Sequence, residues 1–127
     1  MNFTEHHFTS FDDLSLYYRV YGEGDDVVLC LPGLTRNSND FVGIATHLSD
    51  RWRVITPDLR GRGQSDWDPK PQRYTLPSYV ADAWRALDQM GVRRAVVLGT
   101  SLGGLVGMAM AAQKPDRVAG LVLNDVG

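Results

Sequence analysis

The residues best suited to chemistry in this 127-residue sequence are Gly99-Thr100-Ser101-Leu102-Gly103, in which a glycine stands two positions before and two positions after a serine. A serine hydroxyl attacks a carbonyl carbon when a base takes its proton. The G-x-S-x-G spacing is typical of a serine on a very tight turn from a strand to a helix, where bulky neighbours would collide. The alternative is an ordinary strand-to-helix turn whose serine only caps the helix.

The elements on either side of Ser101 favour the first interpretation. The apolar run 95–98 predicts a strand. The segment from Leu102 to Ala112 is apolar nearly all round, which predicts a central and buried helix. Ser101 would then lie at the carboxyl end of a strand, where ligands bind in open α/β sheets, and the helix N-terminus would offer N–H groups to an oxyanion. We therefore interpret Ser101 as a nucleophile.

Two kinds of strand pattern precede this turn. Apolar and polar residues alternate between Leu14 and Val20, which predicts a strand with one buried face. Asp12-Asp13 forms a turn that joins it to an earlier strand near residues 5–9. From residue 27 onward the strands become short, continuous apolar runs, at 27–31, 54–56, 95–98 and 121–123. Such runs are typical of a parallel sheet that helices cover on both faces.

Apolar stripes at helical spacing separate these runs. One stripe consists of Phe41, Ile44, Ala45 and Leu48, and the other of Val80, Ala83, Trp84 and Leu87, with Pro77 near its start and Gly91 after its end. Strand and helix alternate after residue 26, and we see no repeat or domain boundary. The sequence therefore predicts an α/β fold, a mostly parallel sheet with two antiparallel N-terminal strands and flanking helices.

The composition excludes several classes of protein. Hydrophobic residues at 43% and charged residues at 22% are close to globular averages, which argues against disordered and fibrous chains. The net charge of −2 gives no reason to expect nucleic acid or an anionic membrane as a partner. No signal peptide is visible and the apolar tract 105–112 is too short to cross a bilayer, so we expect a cytoplasmic protein. The single cysteine, Cys30, lies in an apolar run and is expected to be a buried thiol.

Three motifs together resemble the α/β-hydrolase superfamily, in the order in which that family carries them. Leu31-Pro32-Gly33-Leu34 follows the third predicted strand and is similar to the family's oxyanion loop. The segment 58–65, with the sequence DLRGRGQS, is similar to its D-x-R-G-x-G-x-S segment, and residues 99–104 are similar to its nucleophile elbow. The resemblance covers essentially all of the sequence and implies the first six strands of the family's core.

The resemblance implies a role for individual residues. Ser101 would be the nucleophile, and the backbone N–H groups of Leu34 and Leu102 would form the oxyanion hole. Asp58, Arg60 and Ser65 would belong to a structural turn. One departure is Pro32, which stands where the family often has histidine before the oxyanion glycine. Because the donor is a backbone N–H, the hole survives this change, but the anchoring of the loop is open.

A general base for Ser101 is not apparent in the sequence. The resemblance implies an acid and then a histidine after the serine, yet the histidines are His6, His7 and His47. Asp125, after the last predicted strand, is a candidate acid, although a strand-end aspartate that lines the pocket is the simpler interpretation. We expect residues 1–127 to be the N-terminal part of a single α/β-hydrolase domain that lacks the lid and the C-terminal strands, and expect this chain to be inactive alone. The missing C-terminal half is then an expected partner, with a second polypeptide chain as one form it can take.

The resemblance implies that the complete protein is a serine hydrolase. It would act on an ester, lactone, thioester or activated C–C bond of a small-molecule substrate through an acyl-serine intermediate, without a metal or other cofactor. Two alternatives remain open: a cofactor-free member similar to haloperoxidases and perhydrolases, and a non-catalytic binding protein of the same fold. The serine turn favours an enzyme, because a binding protein has no need of a strained nucleophile.

Overall fold

Residues 2–33 and 36–124, which the computed structural model describes, form one sheet of six strands with helices on both faces. The strands are β1 (Phe3–Thr9), β2 (Ser15–Tyr21), β3 (Val27–Leu31), β4 (Arg53–Pro57), β5 (Ala95–Thr100) and β6 (Val118–Asn124). They lie in the order β1-β2-β4-β3-β5-β6. The helices are α1 (Val42–Leu48), α2 (Leu76–Gln89) and α3 (Leu102–Gln113), with short 3₁₀ turns at Ser38–Phe41, Pro71–Arg73 and Pro115–Arg117.

The two N-terminal strands are antiparallel and the other four are parallel to one another. In the β1–β2 hairpin Phe3 lies opposite Tyr21 and Thr9 lies opposite Ser15, and β2 is also antiparallel to β4. Strands β4, β3, β5 and β6 run in the same direction. The predicted change from an antiparallel to a parallel arrangement is therefore confirmed. The parallel arrangement brings the carboxyl ends of β3, β4 and β5 to one edge of the sheet, where ligands bind in sheets of this kind.

The helices begin and end for recognisable reasons. Helix α2 starts after Thr75, whose hydroxyl accepts the N–H of Ser78, has Pro77 in its first turn and is followed by Gly91 at φ 69°. Helix α1 starts at Val42 because the preceding four residues form a 3₁₀ turn. The described residues include no helix with the length and apolarity that crossing a membrane requires.

The core consists of two apolar clusters, one on each face of the sheet. Leu29 of β3 belongs to the cluster that includes residues of α2 and α3, whereas Cys30 belongs to the cluster that includes Phe41 and Ala45 beside β3 and β4. Strand β3 is buried on both faces, as its continuous apolar run predicts. Cys30 is fully buried, and this burial raises the pKa of its thiol to about 12.

Three predictions about burial are wrong. Strand β2, which was expected to have one buried face, is buried on both, because Tyr17 and Arg19 contact each other and residues of β1. Helix α3 is buried on only one face, with Leu105 45% and Met108 38% exposed, because it packs on the sheet from one side and its outer apolar residues stay uncovered. The run 121–123 was also expected to be covered on both faces, but β6 has no described strand beyond it and its Val122 is 52% exposed.

Candidate active site

Ser101 connects β5 directly to α3 and has an unusual backbone conformation. Its φ is 54° and its ψ is −117°, which is uncommon for a residue with a side chain. Its backbone N–H donates to the carbonyl oxygen of Asn124 on β6, at 3.2 Å. The side chain makes no capping hydrogen bond to α3 and is exposed at the carboxyl edge of the sheet. Ser101 therefore lies at a strained strand-to-helix turn, and its hydroxyl does not cap the helix.

The glycines around Ser101 allow backbone segments to approach more closely than side chains would permit. A Cβ atom on Gly99 would overlap the carbonyl oxygen of Gly103, and one on Gly103 would overlap the carbonyl oxygen of Leu31 at the end of β3. Further along α3, a Cβ on Gly107 would lie 2.9 Å from Leu121 Cδ1 and 3.1 Å from Val97 Cγ1. The sequence motif identified the first two glycines, but the close approach at Gly107 was not predicted.

The loop that follows β3 lies against the serine turn. A Cβ built on Gly33 would be 3.4 Å from Ser101 Cβ, and the Gly33 carbonyl oxygen accepts the Arg36 N–H at 3.2 Å. Leu34, the predicted oxyanion donor of this loop, lies outside the described residues, as does the candidate acid Asp125. The other predicted donor, Leu102, is the first residue of α3, and N–H groups in the first turn of a helix have no acceptor within the helix.

An open cleft of about 510 Å³ lies beside this loop. Its wall combines the loop residues Gly33 and Arg36 with Phe41, with Thr100 at the end of β5 and with Asn124 at the end of β6. The cleft is therefore next to Ser101 at the carboxyl edge, and it has the size of a small-molecule binding site.

The three histidines of the sequence lie away from Ser101. His6 and His7 are in β1, where they contact the rings of Tyr18 and Tyr17 on β2, and β1 is separated from β5 by three other strands. Four strand spacings correspond to about 19 Å. His47 is exposed in the last turn of α1, near the opposite edge of the sheet, where β4 begins. None of them is in reach of the Ser101 hydroxyl.

The segment after β4 is held by hydrogen bonds between side chains and backbone. Asp58 is buried, and its carboxylate accepts the Ser38 N–H at 2.7 Å and the Gln64 N–H at 2.9 Å. The Ser65 hydroxyl donates to the Asp58 carbonyl oxygen at 2.6 Å and accepts the Tyr17 N–H of β2 at 2.9 Å. These contacts fit the structural turn that the resemblance implies for this segment.

Arg60 lies at the centre of a buried ionic cluster that the sequence did not predict. Its side chain is 0% exposed and forms two hydrogen bonds with Asp82, at 2.8 and 2.7 Å, two with Asp12, at 2.8 and 3.1 Å, and one with Asp68, at 3.0 Å. All five N–H donors of the guanidinium are thus used. Arg73 adds a second cation, 3.2 Å from Asp12.

The cluster shifts the pKa values of its members. Hydrogen bonds from Arg60 hold the pKa of Asp12 well below its usual range, although burial acts in the other direction. Burial would lower the pKa of Arg60, but its hydrogen bonds to Asp82 and Asp12 raise it. For Asp82, burial is the largest effect and raises the pKa despite the Arg60 contact. Asp12 was predicted only as a turn residue, and no sequence pattern connects it with positions 68 and 82.

Comparison with known proteins identifies the family. Residues 26–126 match the family model for the alpha/beta hydrolase fold. The chain is 41% identical over 117 residues to a 3-hydroxybutyrate-oligomer hydrolase from Cupriavidus necator, covering 88% of this chain and 40% of that protein. It thus spans about two fifths of the length of this curated relative.

Solved structures agree with this match. A crystal structure of an alpha/beta hydrolase from Novosphingobium aromaticivorans is 48% identical with a TM-score of 0.94, over 99% of this chain and 45% of that one. A hydrolase from Pseudomonas aeruginosa is 33% identical with a TM-score of 0.88, over 94% and 45% of the two chains. Fold, motif order and sequence identity lead to one conclusion: the chain belongs to the α/β-hydrolase fold family.

Proposed function

We propose that the complete protein is a serine hydrolase in which Ser101 attacks the carbonyl carbon of an ester. The observation that carries this proposal is the geometry of Ser101, an exposed serine at a positive φ between β5 and α3, next to Gly33. A strained turn that presents a hydroxyl is a feature of catalytic sites, because strain persists only where the surrounding structure maintains it. Lactones, thioesters and activated C–C bonds would react in the same way. We favour an ester because one relative is named as a 3-hydroxybutyrate-oligomer hydrolase.

The proposed reaction has two steps. A base takes the proton of the Ser101 hydroxyl while its oxygen bonds to the carbonyl carbon, and the carbonyl electrons move to the oxygen. The backbone N–H groups of Leu34 and Leu102 donate to this oxyanion. The C–O bond of the ester then breaks, the leaving alcohol takes the proton from the base, and an acyl-serine remains. Water hydrolyses the acyl-serine in the second step, with the same base and oxyanion donors.

We propose that the base comes from polypeptide outside these 127 residues. His6, His7 and His47 are too far from Ser101 to act, and the relatives that this chain matches are more than twice as long. A catalytic serine needs a base within hydrogen-bonding distance, about 2.6–3.2 Å. A histidine of the remaining polypeptide, close to the cleft beside Gly33, would meet this requirement.

The test uses the full-length protein, a fluorophosphonate probe and a p-nitrophenyl ester. Ser101→Ala should abolish labelling and lower ester hydrolysis by at least about 10⁴-fold, because the remaining groups cannot form the acyl intermediate. The matched control is Ser15→Ala, which removes an exposed hydroxyl on β2 and should leave both readouts unchanged. Undiminished hydrolysis by Ser101→Ala would refute the assignment. A wild-type protein that binds esters but neither reacts with the probe nor turns over would indicate a binding protein instead.

A further inference from the structure

The loop between β3 and the 3₁₀ turn at Ser38–Phe41 has to be held in place if it is to stabilise an oxyanion. Oxyanion donors act when they lie about 2.7–3.1 Å from the developing charge, and small displacements lower the rate strongly. Pro32 at the start of this loop has no N–H and no polar side chain, so it cannot donate a hydrogen bond that anchors the loop. Within the loop the Arg36 N–H donates to the Gly33 carbonyl oxygen, and Arg36 forms an exposed ion pair with Asp40. The Ser38 N–H donates to Asp58 Oδ1, which belongs to the segment after β4.

The Asp58 side chain is itself held in place by its neighbours. The Asp58 side chain is buried, its second oxygen accepts the Gln64 N–H, and its carbonyl oxygen accepts the Ser65 hydroxyl. Gly63, at φ 52°, lies so close to the carboxylate that a Cβ atom there would overlap Asp58 Oδ2. The same segment is attached to α2 and to the β1–β2 turn through Arg60. Asp58 is therefore a fixed point in a segment that the rest of the fold supports.

We propose that Asp58 is a positioning residue for acyl transfer, because its carboxylate fixes Ser38 at the end of the loop that follows β3 beside Ser101. This inference rests on the proposed function. A carboxylate suits the task because it accepts two N–H groups at once, and hydrogen bonds to an ionised acceptor are short and strong. The other polar contacts of the segment lead to β2, α2 and the β1–β2 turn, whereas the Ser38 contact leads to the loop beside Ser101.

The test is Asp58→Asn in the full-length protein. Asparagine has the same shape but only one acceptor oxygen, so either Ser38 or Gln64 loses its partner and the loop gains freedom. We expect kcat for the p-nitrophenyl ester, per active site titrated with the fluorophosphonate, to fall about 10- to 100-fold while KM stays within about twofold. A trifluoromethyl ketone, whose adduct with serine carries an oxyanion, should lose affinity by the same factor. A purely structural role would lower the melting temperature without this matched loss in kcat and inhibitor affinity.

The matched control is Asp66→Asn. Asp66 Oδ2 also accepts a backbone N–H, that of Ser15 at 2.8 Å, but this contact leads to β2 rather than to the active-site loop. Asp66→Asn should therefore leave kcat and inhibitor affinity unchanged. Gly63→Ala approaches the same carboxylate from the other side and should reproduce the Asp58→Asn result, since the new methyl group must displace Asp58 Oδ2.

The outcomes separate this inference from the proposed function. If Ser101→Ala is inactive but Asp58→Asn and Gly63→Ala keep the wild-type kcat and inhibitor affinity, the positioning role is wrong and the serine hydrolase stands. If Ser101→Ala keeps full activity, both are wrong. A matched fall in kcat and inhibitor affinity for both Asp58→Asn and Gly63→Ala, absent from Asp66→Asn, supports the positioning role.

Discussion

The turns that follow β4 and β5 both reach the carboxyl edge of the sheet, yet different interactions hold them. Around Ser101 the backbone is held by close approach, with Gly99 against Gly103 and Gly103 against Leu31, and the serine side chain makes no capping hydrogen bond. The segment 58–68 is held by polar side chains instead. Asp58 and Ser65 bind backbone groups, and Arg60 uses all of its donors on three aspartates.

The two turns differ in whether a polar side chain has to stay free of contacts with the rest of the protein. In the proposed mechanism the Ser101 hydroxyl faces a substrate, and the turn beneath it is fixed by glycines that occupy no space in the site. The segment after β4 does not contact the reacting carbonyl in the proposed mechanism, and it can therefore use buried charges. Burying charges is unfavourable unless each is paired and hydrogen-bonded, and in the Arg60 cluster the guanidinium meets this condition fully.

The largest expected effect on the free energy of unfolding comes from removing the Arg60 guanidinium from the segment 58–68. Arg60→Met leaves Asp12, Asp68 and Asp82 buried together without the guanidinium, and we expect the free energy of unfolding to fall by about 3–5 kcal/mol. Urea unfolding of the full-length protein measures this change. The control is Arg93→Met, which removes an exposed ion pair with Asp116 and should cost less than about 1 kcal/mol. Equal losses in the free energy of unfolding for the two variants would show that the buried Arg60 cluster stabilises the protein no more than an exposed ion pair does.

A smaller loss is expected when the turn after β5 is crowded. Gly103→Ala places a methyl group against the Leu31 carbonyl oxygen, so α3 must move away from β3, at a cost of about 2–3 kcal/mol. Gly43→Ala is the control, because a Cβ there meets no atom within 4 Å, and alanine should stabilise α1 by about 0.5–1 kcal/mol. The fluorophosphonate should also label Ser101 more slowly in Gly103→Ala. A stable Gly103→Ala protein with normal labelling would contradict close packing as the force that holds this turn.

The stability that the segment 58–68 contributes should decrease at acid pH, whereas the stability that the turn at Ser101 contributes should not. Because Arg60 lowers the pKa of Asp12 in the folded state, the unfolded chain binds a proton more readily than the folded one. The resulting stability is present above about pH 4 and is lost as pH falls below that value, by an amount on the order of 2 kcal/mol. Asp82 has a raised pKa and acts in the opposite sense, so its contribution to the free energy of unfolding decreases as pH rises from about 4.

The difference between wild type and Asp12→Asn isolates the contribution of Asp12. We expect the variant to be less stable at pH 7 and the two proteins to converge as pH falls from about 4 toward 2, as measured by thermal unfolding. Asp13→Asn serves as the control, since Asp13 is the exposed neighbour at φ 70° and asparagine tolerates that conformation. Parallel pH curves for wild type and Asp12→Asn would show that the Arg60 contact does not shift Asp12.

The smallest expected signal is the reactivity of Cys30 in the native protein. Its thiol is fully buried with a pKa raised to about 12, so a disulfide reagent should not react with it at pH 8 unless the protein opens. If both turns belong to one cooperative unit, Arg60→Met and Gly103→Ala should accelerate the reaction by the factors that their losses in unfolding free energy predict. A much faster reaction in one variant alone would show that the two turns open independently.

Sequence reasoning succeeded where the controlling interactions are local or repeat with a simple period. The continuous apolar run of β3 identified a strand buried on both faces, and the glycines at 99 and 103 identified the turn at Ser101. The alternation in β2 identified the strand but not its burial, because contacts with β1 also cover the face that carries Tyr17 and Arg19. Sequence reasoning did not succeed for the Arg60 cluster, whose aspartates lie at positions 12, 68 and 82 in separate elements. No periodicity within one element reports on such a contact.

The sequence by itself determined the fold class, the order of strands and helices and the place of Ser101, because backbone preferences and apolar periodicity act over a few residues. Only the tertiary structure decided which apolar faces are covered, as Leu105 and Met108 demonstrate, and which carboxylates meet which partners. Asp58 is the clearest case: its motif predicted a turn, but its contact with Ser38 exists because β3 and β4 are neighbours in the sheet. Contacts of that kind depend on strand order and helix placement, which bring together residues that no local pattern connects.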